Sequence, residues 1–402
     1  MVPSLYSNRT TEDRETYLQR SNPRSLDIWL TFVAEVPDDS ILSVLDTLSI
    51  HSNRVRRLAV LFDGEAPKNL VVRQIVMGWN LERIESLELH VNPHDDNDES
   101  LEADFDTPGN FDQLKLLRSS AAFFDVQHPC LSQLTTLYLE SSTTYVPRSE
   151  SDIFARIISL PNLITLSVAE DTLGSQTRAR TTTPLVAPIL KHFRCGDTIL
   201  AKLFLSEASF PELELLALRH INLKTMVYPH ANRGDTPLQF LAPKLRTLAL
   251  IDCRSNTLSS TLLASATSSA AHLVIDTVDD PYQSNVMEFI WVNPTTKTNF
   301  WPLLETFTYR TKRSFAETIY TSSYRSFSES RSNGDKQLKI YACHLGRPLY
   351  KRRSENFVRR AEQWEELVAA GIVENFPSDR DVVPWPIDSN FFSSNAEYLF
   401  TP

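Results

Sequence analysis

Glycine is scarce in this chain, with nine among 402 residues. Phosphate cradles and oxyanion elbows draw on local glycine clusters, and none is present here. No GxSxG, GxxxxGK[ST], GxGxxG or CxxC occurs. The four cysteines, Cys130, Cys195, Cys253 and Cys343, are far apart. That spacing argues against a zinc site or a disulfide framework and for free thiols in a reducing compartment. No window approaches the roughly 18 apolar residues that a membrane helix needs. The opening MVPSLYSNRTTEDRETYLQR lacks a basic stretch followed by an apolar one, so it does not read as a signal peptide. On that reading the Asn8-Arg9-Thr10 triplet is a chance match to the glycosylation pattern. Positive charge is also short. The net charge of −10 disfavours nucleic acid and anionic membrane as general partners. These absences point to a cytoplasmic or nuclear protein.

What the chain has is apolar residues, 42% of the total, arranged in a repeat. An apolar residue, two others, an apolar residue, one other and an apolar residue recur as Leu134–Leu139, Leu163–Val168, Leu213–Leu218 and Leu245–Leu250. Looser copies are Val55–Val60, Ile84–Leu89, Leu190–Cys195, Ala270–Ile275, Leu304–Tyr309 and a variant around Leu338 and Ile340, with an alternating run Leu26–Leu30 before them. The middle apolar residue of each copy serves as a marker: Leu58, Leu87, Leu137, Leu166, Phe193, Leu216, Leu248, Leu273, Phe307 and Leu338. Most intervals between markers are 23 to 34 residues, long beside the usual leucine-rich unit of about 20–29. The one wide interval, Leu87 to Leu137, contains the acidic run His94–Glu99 and reads as an inserted loop near 92–110.

Alternation places the last two apolar residues of each copy on one strand face. A unit of this kind cannot bury that face alone, so neighbouring units stack and share a core. Four copies open on a proline corner: Leu160-Pro161-Asn162-Leu163, Phe210-Pro211-Glu212-Leu213, Ala242-Pro243-Lys244-Leu245 and Trp301-Pro302-Leu303-Leu304. Proline ends a helix and pushes the residue before it into extended geometry. Asn92 and Cys253 stand where a leucine-rich repeat bonds the turn after its strand. Helical spacing is read over Asp38–Ile50, Ser151–Ser159, Asp197–Leu205, Ser284–Trp291 and Ser354–Ala370, the last stopped by Gly371. The expected architecture is α/β: an irregular leucine-rich-repeat solenoid, a horseshoe with parallel strands on the concave face and helices on the convex face. Residues 1–24 form an N-terminal extension and 25–345 the solenoid, with a polar loop near 311–335. Residues 346–402 form a C-terminal helix and a cap rich in proline and aromatics.

The opening Tyr17-Leu18-Gln19-Arg20-Ser21 into Leu26-Asp27-Ile28, the segment His51–Leu58, the Phe-Pro-x-Leu and Ala-Pro-x-Leu corners and Trp364–Gly371 carry a resemblance. The chain resembles the repeat region of fungal, basidiomycete-type F-box/leucine-rich-repeat proteins. The resemblance implies a substrate receptor. In that family an F-box recruits a ubiquitin-ligase adaptor and the repeats hold the target. An F-box needs some forty residues of helix ahead of the repeats, and about twenty stand here before the first strand, so an adaptor is expected only if an F-box lies upstream. A stand-alone repeat scaffold is the alternative reading, and an enzyme on an unfamiliar α/β fold the third.

No catalytic, cofactor or metal residues are assigned. His90-Val91-Asn92-Pro93-His94 with the acids after it has metal-like residue types, but Pro93 keeps the two histidines off one helix face. The basic clusters Lys351-Arg352-Arg353 and Arg359-Arg360 lie among acids and read as a solvated face. A protein target is expected on the concave face. The residues between the alternating apolar positions would meet it: Glu88, His90, Tyr138, Glu140, Ser167, Arg194, Arg219, Thr308 and Arg310.

Overall fold

The computed structural model describes residues 16, 18–21, 23–33, 36–63, 68–91, 111–120, 129–140, 157–169, 185–223, 242–253, 263–277, 300–311, 325, 327–329, 338–344 and 355–375. The chain divides between Thr182 and Thr183 into two units.

The first unit runs β1 (Leu26–Val33), α1 (Asp38–Ser49), β2 (Val55–Asp63), α2 (Lys68–Gly78), β3 (Ser86–Val91), β4 (Leu116–Ser120), β5 (Thr136–Glu140) and β6 (Thr165–Val168). Its six strands pair in sequence order, and every pairing is parallel. The second unit runs β7 (Leu185–Val186), β8 (His192–Cys195), α3 (Thr198–Glu207), β9 (Ala208–Ser209), β10 (Leu215–Arg219), β11 (Thr247–Ile251), β12 (His272–Thr277), β13 (Thr306–Thr311), β14 (Lys339–His344), α4 (Glu355–Ala369) and β15 (Val373–Asn375). Here β8 and β10 to β15 pair in order, again all parallel, and β7 pairs with β9 apart from them. The fold is therefore mixed α/β, with thirteen strands in parallel ladders and few helices.

The markers share a register. Leu58, Leu87, Leu117, Leu137 and Leu166 are Cα partners from strand to strand. So are Phe193, Leu216, Leu248, Leu273, Phe307, Ile340 and Val373 in the second unit. Most of these side chains are fully buried. Each contributes about 1.5–3 kcal/mol relative to an exposed position, so the stack of rows carries most of the stability.

The approach to each strand is as regular as the strand itself. A turn closes with the amide of its fourth residue donating to the carbonyl of its first, at 3.0–3.3 Å, over Leu81–Ile84, Phe111–Leu114, Leu131–Leu134, Leu160–Leu163, Phe210–Leu213, Ala242–Leu245, Thr267–Ala270 and Trp301–Leu304. First and fourth residues are buried in all eight turns. The closing bond does not use the second position's N–H, so proline fits there, although at Glu82 that N–H donates to Asn80 Oδ1 at 3.2 Å. Four turns place proline there and four do not, which is why the proline signature marks only half of them. Three residues after each turn comes the marker. Just before the strand, one carbonyl accepts from two successive amides of the next repeat. Lys115 receives Thr135 and Thr136 at 2.9 and 3.0 Å, Glu214 receives Arg246 and Thr247 at 2.9 and 3.0 Å, and Arg246 receives Ala271 and His272 at 2.8 Å each.

Several expectations change. The wide interval from Leu87 to Leu137 contains a complete repeat, turn Phe111–Leu114 and strand β4, and is not only a loop. Ser119 stands where the pattern wants an apolar residue, and that polar substitution hides the copy; the side chain is nevertheless buried. The last marker is Ile340 and not Leu338, because Ile340 pairs with Phe307. The polar stretch 311–335 is not wholly a surface loop: Phe327 is buried edge-on to Phe307, with centroids 5.6 Å apart. The C-terminal region adds a strand, β15, beyond its helix. Helix α2 is an element the sequence pattern does not predict; its Val71, Val72, Ile75 and Val76 are buried. The helices at 38–50, 197–205 and 354–370 are found within a residue or two of their expected ends. Of Ser151–Ser159, residues 157 and 158 are helical. The acidic insertion near 92–110, Asn92, Ser284–Trp291, the basic cluster Lys351–Arg353 and the tail from 376 lie outside the described residues.

Gly371 ends α4 with φ +67°. Its amide donates to Val368 and that of Ile372 to Leu367, each at 3.0 Å, the paired bonds of a Schellman cap. A Cβ there would meet nothing within 4 Å, so the cost of Gly371→Ala is conformational only. It should lower stability by about 1–2 kcal/mol, read by thermal unfolding. An unchanged midpoint would show that the cap does not hold this end of the fold.

Candidate functional site

The strand face opposite the marker row was expected to stand in solvent. It does not across its middle. In the first unit Ala59, Glu88, Arg118, Tyr138 and Ser167 are register partners. Tyr138 is 2% exposed and Ser167 fully buried. In the second unit Arg194, Ala217, Ala249, Val274, Thr308 and Tyr341 form the same row. Leu215, Ala217, Ala249 and Val274 pack as an apolar cluster with Ile251 against it. These strands are thus closed on both faces, as parallel strands commonly are.

The expected partner-binding residues separate accordingly. Tyr138, Ser167, Arg194 and Thr308 are buried and do not face solvent, which corrects their placement on an open surface. Alternation sets side, not exposure, and Ala217 and Ala249 are buried in the cluster that neighbouring strands form among themselves. Glu88 is half-buried and lies 3.7 Å from Arg118. Arg219 is half-buried at the end of β10. Arg310 lies at the C-terminal end of β13 and donates its Nε to Asp276 Oδ2 at 2.8 Å, with Nη2 on the same oxygen. His90 and Glu140 lie in β3 and β5, with side chains outside the described set.

The ends of β10 and β11 show a related polar corner. His220 and Asp252 adopt φ of 54° and 49° in successive repeats, and their side chains approach to 3.7 Å. Cys253, next in sequence, donates its Sγ–H to the Leu218 carbonyl at 3.3 Å. That is the bond expected of a residue that ties the turn after a strand to the previous repeat. Cys195 donates to the Asp197 carbonyl at 3.2 Å, and burial pushes its thiol well above the ordinary range. Cys195 therefore lacks the thiolate character a nucleophile needs. Burial also holds the His192 imidazole below its usual range, opposed by the Glu214 charge. Among the described residues no three His, Cys, Asp or Glu side chains could hold a metal ion. No helix there is long and apolar enough to cross a membrane.

A groove lies at the other end of the strands. It has a volume of about 1520 Å³ and crosses the strand starts of the second unit from Glu214 to Glu374. Its lining includes the corners Pro243-Lys244 and Pro302-Leu303, the pre-strand residues Arg246, Ala271 and Glu305, and Lys339 at the start of β14. Leu303 is 61% exposed although its neighbour Leu304 is buried. Ion pairs brace the rim: Lys244 meets both Glu212 oxygens at 2.6 and 2.7 Å, and Lys191 meets Glu214 at 3.2 Å. None of the residues expected from sequence lines this groove. The signal that could have found it is the proline corner itself. Its third position faces outward in every copy, and Leu303 puts a large apolar side chain where others carry Asn162, Glu212 or Lys244. No protein-family model matches the chain, and no curated protein matches it.

Proposed function

We propose that the chain is a protein-binding repeat module, an irregular leucine-rich-repeat solenoid akin to the repeat region of F-box receptors. It holds a segment of a target protein in the strand-start groove of the second unit. The observation that carries the reading is that this groove crosses successive repeats and is lined mostly by exposed or half-buried residues, with the core residues Leu245, Leu304 and Leu338 among them. A surface made once per repeat and extended by stacking suits an elongated macromolecular ligand. A small-molecule site is more enclosed and mostly apolar.

The test is affinity capture of partners from the native cell by the chain and by Leu303→Glu, with cross-links mapped. The expected result is a partner cross-linked around Lys244 and Lys339 and reduced at least about tenfold by the variant, equivalent to about 1.4 kcal/mol. Thermal unfolding should be unchanged, since Leu303 is a surface residue. A partner that cross-links elsewhere and ignores Leu303→Glu would remove this groove from the account. Co-capture of a ubiquitin-ligase adaptor would favour the receptor role, and its absence the stand-alone scaffold.

A further inference from the structure

We infer that the strand starts of the second unit pair with those of a second copy of the chain, running in reverse about a two-fold axis at Ala271. This goes beyond the target-binding reading, since the second copy would cover the groove assigned to the target. The starting point is a row of backbone bonds. Each residue that enters a strand donates its amide to a carbonyl at the entry of the strand before. Glu214 donates to Lys191 at 2.8 Å, Arg246 to Glu214 at 2.9 Å, Ala271 to Arg246 at 2.8 Å, Glu305 to Ala271 at 2.7 Å and Lys339 to Glu305 at 3.0 Å. The last five of these residues to enter, Glu214 to Lys339, all line the groove, one ladder step apart from β10 to β14. At β14 the charge comes from Lys339, one residue further on, because Leu338 at the row's own position is buried.

The groove as a whole is balanced in charge, with Lys244 and Glu374 adding one of each sign to the row. That balance favours neither an acidic nor a basic occupant, but the order of the charges is particular. From β10 to β14 the row reads negative, positive, neutral, negative, positive. Read from the other end, it has the opposite sign at every charged place. A reversed copy therefore brings Arg246 to the partner's Glu305, Glu214 to the partner's Lys339 and Ala271 to its own counterpart. The two-fold repeats each charged contact, giving four in all. The second row also keeps the same step of about 4.8 Å, so the match does not drift along its length. Ala271 and Ser269 are small and lie in the middle strand's approach, which allows the copies to come close. The corner of β11 would meet that of β13, covering Leu303, 61% exposed, with Pro243 and the stem of Lys244. Lys244 already meets Glu212, and Glu214 meets Lys191 at 3.2 Å. Both are exposed pairs that hold little energy and can share their charges. Opposed charges in a fixed order set the register of such a contact.

The experiment is sedimentation equilibrium of the full chain in low and high salt, repeated for Arg246→Glu, for Glu305→Arg and for an equal mixture of the two variants. Both positions are exposed, and unfolding midpoints check that the variants fold. The expected result is a dimer that weakens as salt rises. Either reversal sets like charges together at both copies of its contact and should weaken the dimer at least about tenfold. The mixture should recover it, because one variant chain then meets the other with opposite charges at both contacts. A chain that stays monomeric in low salt at every concentration would overturn the self-pairing and leave the target-binding reading to its own capture test. A dimer indifferent to the reversals, or one the mixture does not recover, would overturn this row as its seat.

Discussion

Phe210→Ala should cost about 3–5 kcal/mol, the usual range for emptying a buried aromatic site. Phe210 is fully buried and opens the turn that leads into β10. Its ring stacks on Phe204 at 3.9 Å, and Phe204 stacks on Phe193 at 4.2 Å. The three come from a turn, helix α3 and strand β8, so one truncation opens a void that touches three elements. The neighbours cannot collapse into it, because Phe193 is fixed in the marker row beside Leu216. At roughly 2–4 °C per kcal/mol for a unit of this size, the midpoint should fall by about 6–20 °C. Phe210→Leu keeps much of the volume and should cost less than half as much. A loss below about 1 kcal/mol for Phe210→Ala would mean that the stack can repack, and that this turn does not anchor the second unit.

The second large effect is expected at Arg54 in the first unit. This arginine is 8% exposed. It donates to the Leu18 carbonyl at 3.2 Å, to Ser21 Oγ at 2.9 Å and to the Arg24 carbonyl at 3.0 and 2.9 Å. One guanidinium thus fastens the stretch before β1 to the start of β2. Hydrogen bonds from a charged donor contribute about 1.5–3 kcal/mol each, and their loss strands buried carbonyls. Arg54→Ala should cost at least about 3 kcal/mol. Arg54→Lys should recover less than half of that, since a single ammonium cannot reproduce the fork. Hydrogen exchange locates the effect: amides of residues 18–33 should lose protection while those of β5 keep theirs. Equal protection in wild type and Arg54→Ala would show that the segment is held by other contacts.

Sequence reasoning reached the repeat because its chemistry is local. Leu163, Leu166 and Val168, or Leu245, Leu248 and Leu250, announce a turn, a strand and its buried side within six residues. Copies were lost where one residue left the pattern, as at Ser119, or where the register belongs to a neighbour, as with Ile340 beside Phe307. The candidate surface was less legible. Alternation told which side Tyr138 and Thr308 take, but burial there depends on what packs against the strand, which no local pattern encodes. The groove follows from how successive corners line up, a property of the stack that Leu303 cannot reveal alone.

The turn and the marker occupy fixed offsets in all eight turn-led repeats, and the double acceptance by one carbonyl in seven of them, while the intervals between markers range from 20 residues, Leu117 to Leu137, to 34, Leu273 to Phe307. Length change is therefore confined to the stretch after each strand. The six-residue lead works as a phase-keeper: wherever the returning chain resumes it, the next strand is seated in step. Genes for such a protein can gain or lose codons freely in one part of each repeat and almost nowhere in the other. The groove, built from the phase-keeping part, would hold its spacing through that drift.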